Sequence, residues 1–431
     1  MKKLIYPALA SMLILSACLD DDDDNKIIIP DLKGTFTVKI ENIQMGKSFF
    51  NSGTTDAMGP GASYSFGFNA GKGAKLSLAT MLVQSNDLFY GFGDEGYALY
   101  DSNGDAVVGD VSSALMLWDA GTEVNQEPGT GADQAPRQAG PNTGATENGT
   151  VKLIADVNDG YTYPELTEVI KVELAHDGGT LFTVTLTNVS DMYVFQSPLA
   201  PGVWTVHNSG MPLFIEDEAA ANGLEGLAED GANADLASYV ADMSGYVSPF
   251  APGVFAITYQ GYPFFEEGKP DFGLGLEDLV EDGNPAILDA SIDGEAGVRS
   301  HGVFSVPNGM SSGAPIFPGE YYEFSFDAYL GDYLNLATML VQSNDLFIAF
   351  DDMGLDLFNN GSPVTGDVTS SLKLWDGGTE VNEYPGAGNN QAPRQAGANT
   401  GTTESKAIMV VDDEFVLPTV EQLVRVTISF N

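Results

Sequence analysis

Six acidic residues stand where their chemistry has a purpose: Asp87, Asp119 and Glu123, and then Asp345, Asp376 and Glu380 at matching places further on. Asp87 closes an apolar run in Leu78-Ala79-Thr80-Met81-Leu82-Val83-Gln84-Ser85-Asn86-Asp87, where Asn-Asp marks a turn. Asp119 and Glu123 flank Ala120-Gly121-Thr122, so a tight glycine loop can turn both carboxylates inward. A hard cation needs six to eight oxygens from carboxylates, carbonyls and water. Three carboxylates on two adjacent loops could begin such a shell. Gly-rich flexible loops suit Ca²⁺ better than Mg²⁺, which demands stricter octahedral geometry. The plainer alternative is that Asp87 only accepts hydrogen bonds from nearby backbone amides.

Other chemistry finds less support. Asp101-Ser102-Asn103-Gly104-Asp105 begins like a calcium loop, but Ser112 stands where the closing Glu belongs, and the counterpart at Asn359-Asn360-Gly361 loses the pattern. A plain β-turn is expected there. Arg137 and Arg394 lie in long Gly/Pro loops of a chain with few basic residues, and each is expected to pin its loop to a buried carboxylate. His176, His207 and His301, the only histidines, form no triad or metal motif. Trp118 and Trp375 read as core residues. Paired acids could serve a glycosidase, yet no aromatic cluster stands by to platform a sugar. No catalytic residue is assigned, and an enzyme is not expected.

The elements that position these acids occur twice. Leu78–Phe89 recurs unchanged as Leu336–Phe347, and Gln134–Gly140 recurs as Gln391–Gly397. Leu117-Trp118-Asp119-Ala120-Gly121-Thr122-Glu123-Val124-Asn125 answers Leu374-Trp375-Asp376-Gly377-Gly378-Thr379-Glu380-Val381-Asn382. Alternating aromatics (Tyr64, Phe66 and Phe68; Tyr322, Phe324 and Phe326) read as strands with one buried face. These patterns predict a mostly β protein of two antiparallel sandwiches, over 34–176 and 177–431. An insert at about 195–312 is itself doubled, Leu199–Val203 against Phe250–Val254 and Gly223–Gly231 against Gly275–Gly283. Each of its arms is expected to hold a short helix ending on glycine, and the insert is assigned to the second unit alone.

The pattern of a strand leading into N-D-L-F and then W-D-A-G-T-E resembles the spondin N-terminal domain of F-spondin and mindin. Ser197-Pro198-Leu199, His207 and Gly223–Gly231 resemble that family's S-P-L, its nearby His and its helical segment. The resemblance covers most of 180–431 and the 78–140 part of the first unit. It implies a β-sandwich with a calcium held by Asp87, Asp119 and Glu123, and by Asp345, Asp376 and Glu380 in the second copy. Glu123 and Glu380 depart from the family, which has Asp at that position. In animal relatives the domain serves adhesion and matrix contact.

The whole chain sets the compartment. It carries 61 acidic against 17 basic residues, a net charge of −44, which repels nucleic acid and anionic membranes. Its single cysteine excludes a disulfide framework. That cysteine ends Leu15-Ser16-Ala17-Cys18 after a basic start and an apolar stretch, which resembles a bacterial lipobox. Residues 1–17 read as a signal peptide and Cys18 as the lipidation site. Residues 18–33, with Asp20 to Asp24, read as a solvated tether. Asp does not directly follow Cys18, so the outer membrane is expected, and the acidic tether favours surface display. The expected function is a calcium-binding envelope lipoprotein that binds an envelope, matrix or cell-surface partner. The rival is a secreted glycan-active hydrolase using the same carboxylates.

Overall fold

A computed structural model describes residues 33–412 and 414–431. The signal peptide, Cys18 and nearly all of the tether lie outside the described residues. The chain is mostly β with few helices, and its sheets are antiparallel, as the alternating pattern requires.

Two sandwiches share one plan. In each, a four-stranded sheet packs on a larger sheet, and a helix pair covers the larger sheet's other face. The first pairs Ser63–Asn69, Leu181–Asn188, Ile170–Gly178 and Gly109–Asp110 in that order. Its larger sheet runs Asn51–Thr54, Val203–His207, Lys75–Met81, Leu88–Gly91, Met116–Asp119 and Lys152–Leu153. Phe182, Val184 and Leu186 from one sheet meet Leu76, Leu78 and Tyr90 from the other in a single core. Alternation at period two therefore fills one interior from both sides.

Strand pairing does not follow the division at 176. Lys33–Asn42 lies between Tyr321–Tyr329 and Val424–Phe430, inside the second sandwich. Leu181–Asn188 takes the same place in the first, between Ser63–Asn69 and Ile170–Gly178. The two strands read Phe-Thr-Val-Lys-Ile-Glu-Asn and Phe-Thr-Val-Thr-Leu-Thr-Asn from Phe36 and Phe182. Each ends on a buried asparagine that ties two other segments to the strand end. Asn42 Nδ2 donates to the carbonyls of Ser248 and Ile316, and Asn188 Nδ2 to those of Met58 and Ser197. Each copy's opening strand has gone to the other copy's sandwich.

The insert is divided in the same way. Val203–His207 pairs with Asn51–Thr54 and Lys75–Met81 of the first sandwich, and Gly253–Thr258 pairs with Val298–Phe304 and Tyr333–Met339 of the second. Helices α1 (Leu224–Asp230) and α2 (Ala234–Asp242) bury Leu224, Leu227, Leu236 and Val240 against Phe89 and Trp118. Helices α3 (Leu276–Asp282) and α4 (Ala286–Ser291) do the same against Phe347 and Trp375. The first sandwich therefore has its helical cover, against the expectation that it lacks one. Helices α1 and α3 end on Gly231 and Gly283 at φ 67°, the left-handed cap expected of them. The sequence pattern does not mark the following helices α2 and α4, although Leu236 and Val240 are four apart.

Candidate functional site

The strand Lys75–Met81 turns through Gln84-Ser85-Asn86-Asp87 into Leu88–Gly91, which pairs Leu88 with Asp119. That register lays Asp87 against the loop after Asp119. Asp87 is fully buried, and its Oδ2 accepts from the Thr122 amide (2.7 Å), the Glu123 amide (3.0 Å) and the Thr122 hydroxyl (3.2 Å). Its Oδ1 has no hydrogen-bond partner. Asp345 repeats this arrangement: its Oδ2 accepts from Thr379 and Glu380 amides at 2.9 and 3.1 Å, and its Oδ1 is again unpartnered. A buried polar atom without a partner is costly, and here the same atom recurs in both copies.

Asp119 is the near neighbour. Its Oδ1 accepts from the Gly121 amide at 2.7 Å and its Oδ2 from Asn125 Nδ2 at 2.6 Å. Gly121 holds φ 69°, and a Cβ there would lie 2.6 Å from the Thr150 carbonyl, so the loop can close only with glycine. Burial, and then the charge of Asp119, push the Asp87 carboxyl up to about 8. Burial and Asp376 likewise push Asp345 up to about 7. The Asp119 carboxyl is also raised, first by burial.

The third expected acid is engaged elsewhere. Glu123 Oε1 accepts from the Gly144 amide at 2.7 Å and Oε2 from Asn86 Nδ2 at 3.3 Å. Glu380 accepts from Asn344 Nδ2 at 2.9 Å. The structure thus brings Asp87 to Asp119 and Asp345 to Asp376, while Glu123 and Glu380 give those sites their backbone amides. Among the described residues, no three Asp, Glu, His or Cys side chains gather closely enough to hold a metal ion.

Sequence reasoning passed over two further acids. Glu229 on α1 and Glu281 on α3 are buried, and burial pushes each up to about 7. Glu229 accepts from the Thr122 hydroxyl and feels the Glu123 charge; Glu281 stands likewise toward Thr379 and Glu380. The matching offsets of Glu229 and Glu281 in the doubled insert were the available signal.

The neighbours of the aspartates have structural partners of their own. Ser85 Oγ donates to the Leu82 carbonyl and accepts from the Leu88 amide. Asn86 Oδ1 accepts from the Gln126 amide, and Gln84 Oε1 accepts from Arg137. Arg137 also donates to the Gly131 carbonyl and to Gln134, so it pins its loop through neutral oxygens and not through a carboxylate. Arg394 does the same with Gly388, Gln342 and Gln391, and burial pulls its guanidinium down to about 10. Asp101 accepts from the Asn103 and Asp105 amides, the hydrogen bonding of a turn. His207 is buried between Ser77 Oγ (2.9 Å) and the Ser209 carbonyl (3.0 Å). Trp118 and Trp375 are core residues, packed on Phe214 and Phe265.

No family model matches the chain, and no curated protein matches it. Among the described residues no helix is long and apolar enough to cross a membrane.

Proposed function

We propose that this is a calcium-binding cell-envelope lipoprotein of the spondin N-terminal type, anchored through Cys18, whose sandwiches bind an envelope, matrix or cell-surface partner. One observation carries the metal part. Asp87 Oδ1 and Asp345 Oδ1 are buried without a partner, each beside a second carboxylate. Calcium accepts such an oxygen and removes the repulsion between the paired acids. Asp87 with Asp119, and Asp345 with Asp376, would hold the ion. The carboxylates of Glu123 and Glu380 would complete the set by exchanging their bonds to asparagine and backbone for the metal. Bound calcium would stiffen the loops after Asp119 and Asp376.

The hydrolase reading draws no support from this geometry. A glycosidase acid must touch its glycan, and Asp87 and Asp345 have no exposed surface.

Thermal melting tests the metal reading. Binding to the native state alone stabilises by RT ln(1 + [L]/Kd), about 2.7 kcal/mol at a hundredfold excess over the dissociation constant. Calcium should raise the melting temperature by several degrees over chelator, and magnesium should not. A pull-down of envelope and matrix components, with and without chelator, tests the binding role; equal recovery in both would separate the partner from the metal.

A further inference from the structure

The Gly/Pro loop of the second sandwich docks on one end of the first, at the hairpin between Ser63–Asn69 and Lys75–Met81. Asn389 Oδ1 accepts from the Lys72 amide at 2.8 Å, and Asn389 Nδ2 donates to the Tyr100 hydroxyl at 3.4 Å. Gly71 lies so close that a Cβ there would stand 2.2 Å from the Ala387 carbonyl oxygen. The rings of Phe50 and Tyr384 meet edge to face at 6.1 Å. A contact of this kind joins two different surfaces, so two copies of one unit leave one of each unused. The unused loop belongs to the first sandwich, where Thr130 and Ala132 answer Ala387 and Asn389 and are exposed. The unused end belongs to the second, at the hairpin between Tyr321–Tyr329 and Tyr333–Met339. There Tyr329 and Leu330 replace Gly71 and Lys72, and Tyr259 and Tyr262 replace Asn208 and Met211. Tyr259, Tyr262 and Leu330 are 50%, 42% and 39% exposed. Arg299 stands among them, 4.5 Å from the ring centre of Tyr329 and 5.4 Å from that of Tyr259. Two bonds to the buried Asp332, at 2.6 and 2.9 Å, fix its orientation.

We infer that the free end of the second sandwich binds the free Gly/Pro loop of a second copy of this chain, so that copies join head to tail. The contact inside the chain supplies the precedent, since a loop of this type already docks on this end of a sandwich. Exposed tyrosines held around an arginine are the residue types in which protein interfaces are enriched. Charge selects the same occupant. Glu127 and Asp133 in the free loop take the places of Tyr384 and Asn390 in the docked one, and they bring negative charge to Arg299. Tyr329 fills the room that Gly71 leaves, so the incoming loop would rest on the rings and not on the hairpin backbone. Each added copy presents a new free end, which makes the series open.

Sedimentation velocity of the full chain in its Cys18→Ser form, in chelator, reads this association apart from the expected lipid and metal. Species that grow past the dimer as concentration rises are expected. Tyr262→Glu/Leu330→Glu sets acids on the end against Glu127 and Asp133, and Thr130→Lys/Ala132→Lys sets cations on the loop against Arg299. All four positions are exposed, so each variant should keep the parent melting temperature. Each should raise the midpoint concentration of association about tenfold or more, as loss of a central interface contact implies. Mixing the two variants should restore association, because one brings an intact loop and the other an intact end. A parent chain that stays monomeric, a series that stops at the dimer, undiminished association in either variant, or a mixture no larger than its parts would overturn the proposal.

Discussion

At the scale of single residues, identity of the repeated stretch has two causes that the structure separates. Gln84, Ser85 and Asn86 are each held by a structural bond that recurs at Gln342, Ser343 and Asn344. Of these four polar positions, only the aspartates keep a buried oxygen with no hydrogen-bond partner among the described residues. Their carboxyls are raised by burial, so the folded protein holds their protons more tightly than the unfolded chain does. Without metal, the contribution of these groups is most favourable below about pH 4 and is lost as pH rises through about 7 to 8. The melting temperature in chelator should carry this fall between pH 5 and pH 8, and calcium should lessen it; a fall of equal size in Asp87→Asn/Asp345→Asn would contradict the assignment. Lysine in place of arginine reports on the loop pins. Arg394→Lys should cost about 1–3 kcal/mol, and Arg137→Lys about 1 kcal/mol or less, because Arg394 is half-buried and Arg137 is exposed. Urea denaturation of the two variants gives both numbers. Neither substitution should change calcium affinity. The paired acids were legible because a turn signal and a glycine loop bracket them. The withdrawal of Glu123 toward Asn86 and Gly144 was not, because it depends on a backbone amide twenty-one residues away.

At the scale of elements, period-two patterns mark which face of a strand is buried but not which sheet receives it. Phe36, Val38 and Ile40 present the same apolar face as Phe182, Val184 and Leu186, and either strand fits either sandwich by that criterion. Chain order suggested that Lys33–Asn42 would stay with its neighbours; the fold places it in the second sandwich. Helices α1 and α3 were similarly readable as glycine-capped, while their assignment to sheets depended on tertiary packing. Fragments should behave accordingly. Residues 49–247 hold every strand and helix of the first sandwich, and should fold alone with a cooperative melt and a β-rich circular dichroism spectrum. Residues 248–431 lack the interior strand Lys33–Asn42 and should not fold cooperatively until residues 33–47 are supplied. A fragment ending at 176 lacks Leu181–Asn188 and Val203–His207, and should stay unfolded. Cooperative folding of 1–176 would contradict this account.

At the scale of the whole molecule, the fold ties the first described strand to the far end of the chain. Lys33–Asn42, the first strand among the described residues, pairs with Val424–Phe430, the last one, so the second sandwich holds both the first and the last described strand. We expect Cys18→Ser to leave the folded body intact and move it from the membrane fraction to the soluble one; identical fractionation of variant and wild type would remove the lipid anchor from the account. The two sandwiches also meet: Asn389, in the Gly/Pro loop of the second, accepts from the Lys72 amide of the first at 2.8 Å. The twofold repeat thus gives two copies of the proposed calcium site, which can be counted. Equilibrium dialysis of the full chain against radioactive calcium counts them directly. The account predicts two ions bound per chain, one in either Asp87→Asn or Asp345→Asn, and none in the double variant, with magnesium failing to compete at equal concentration. A wild-type chain that retains no calcium, or a double variant that retains as much as wild type, would contradict it.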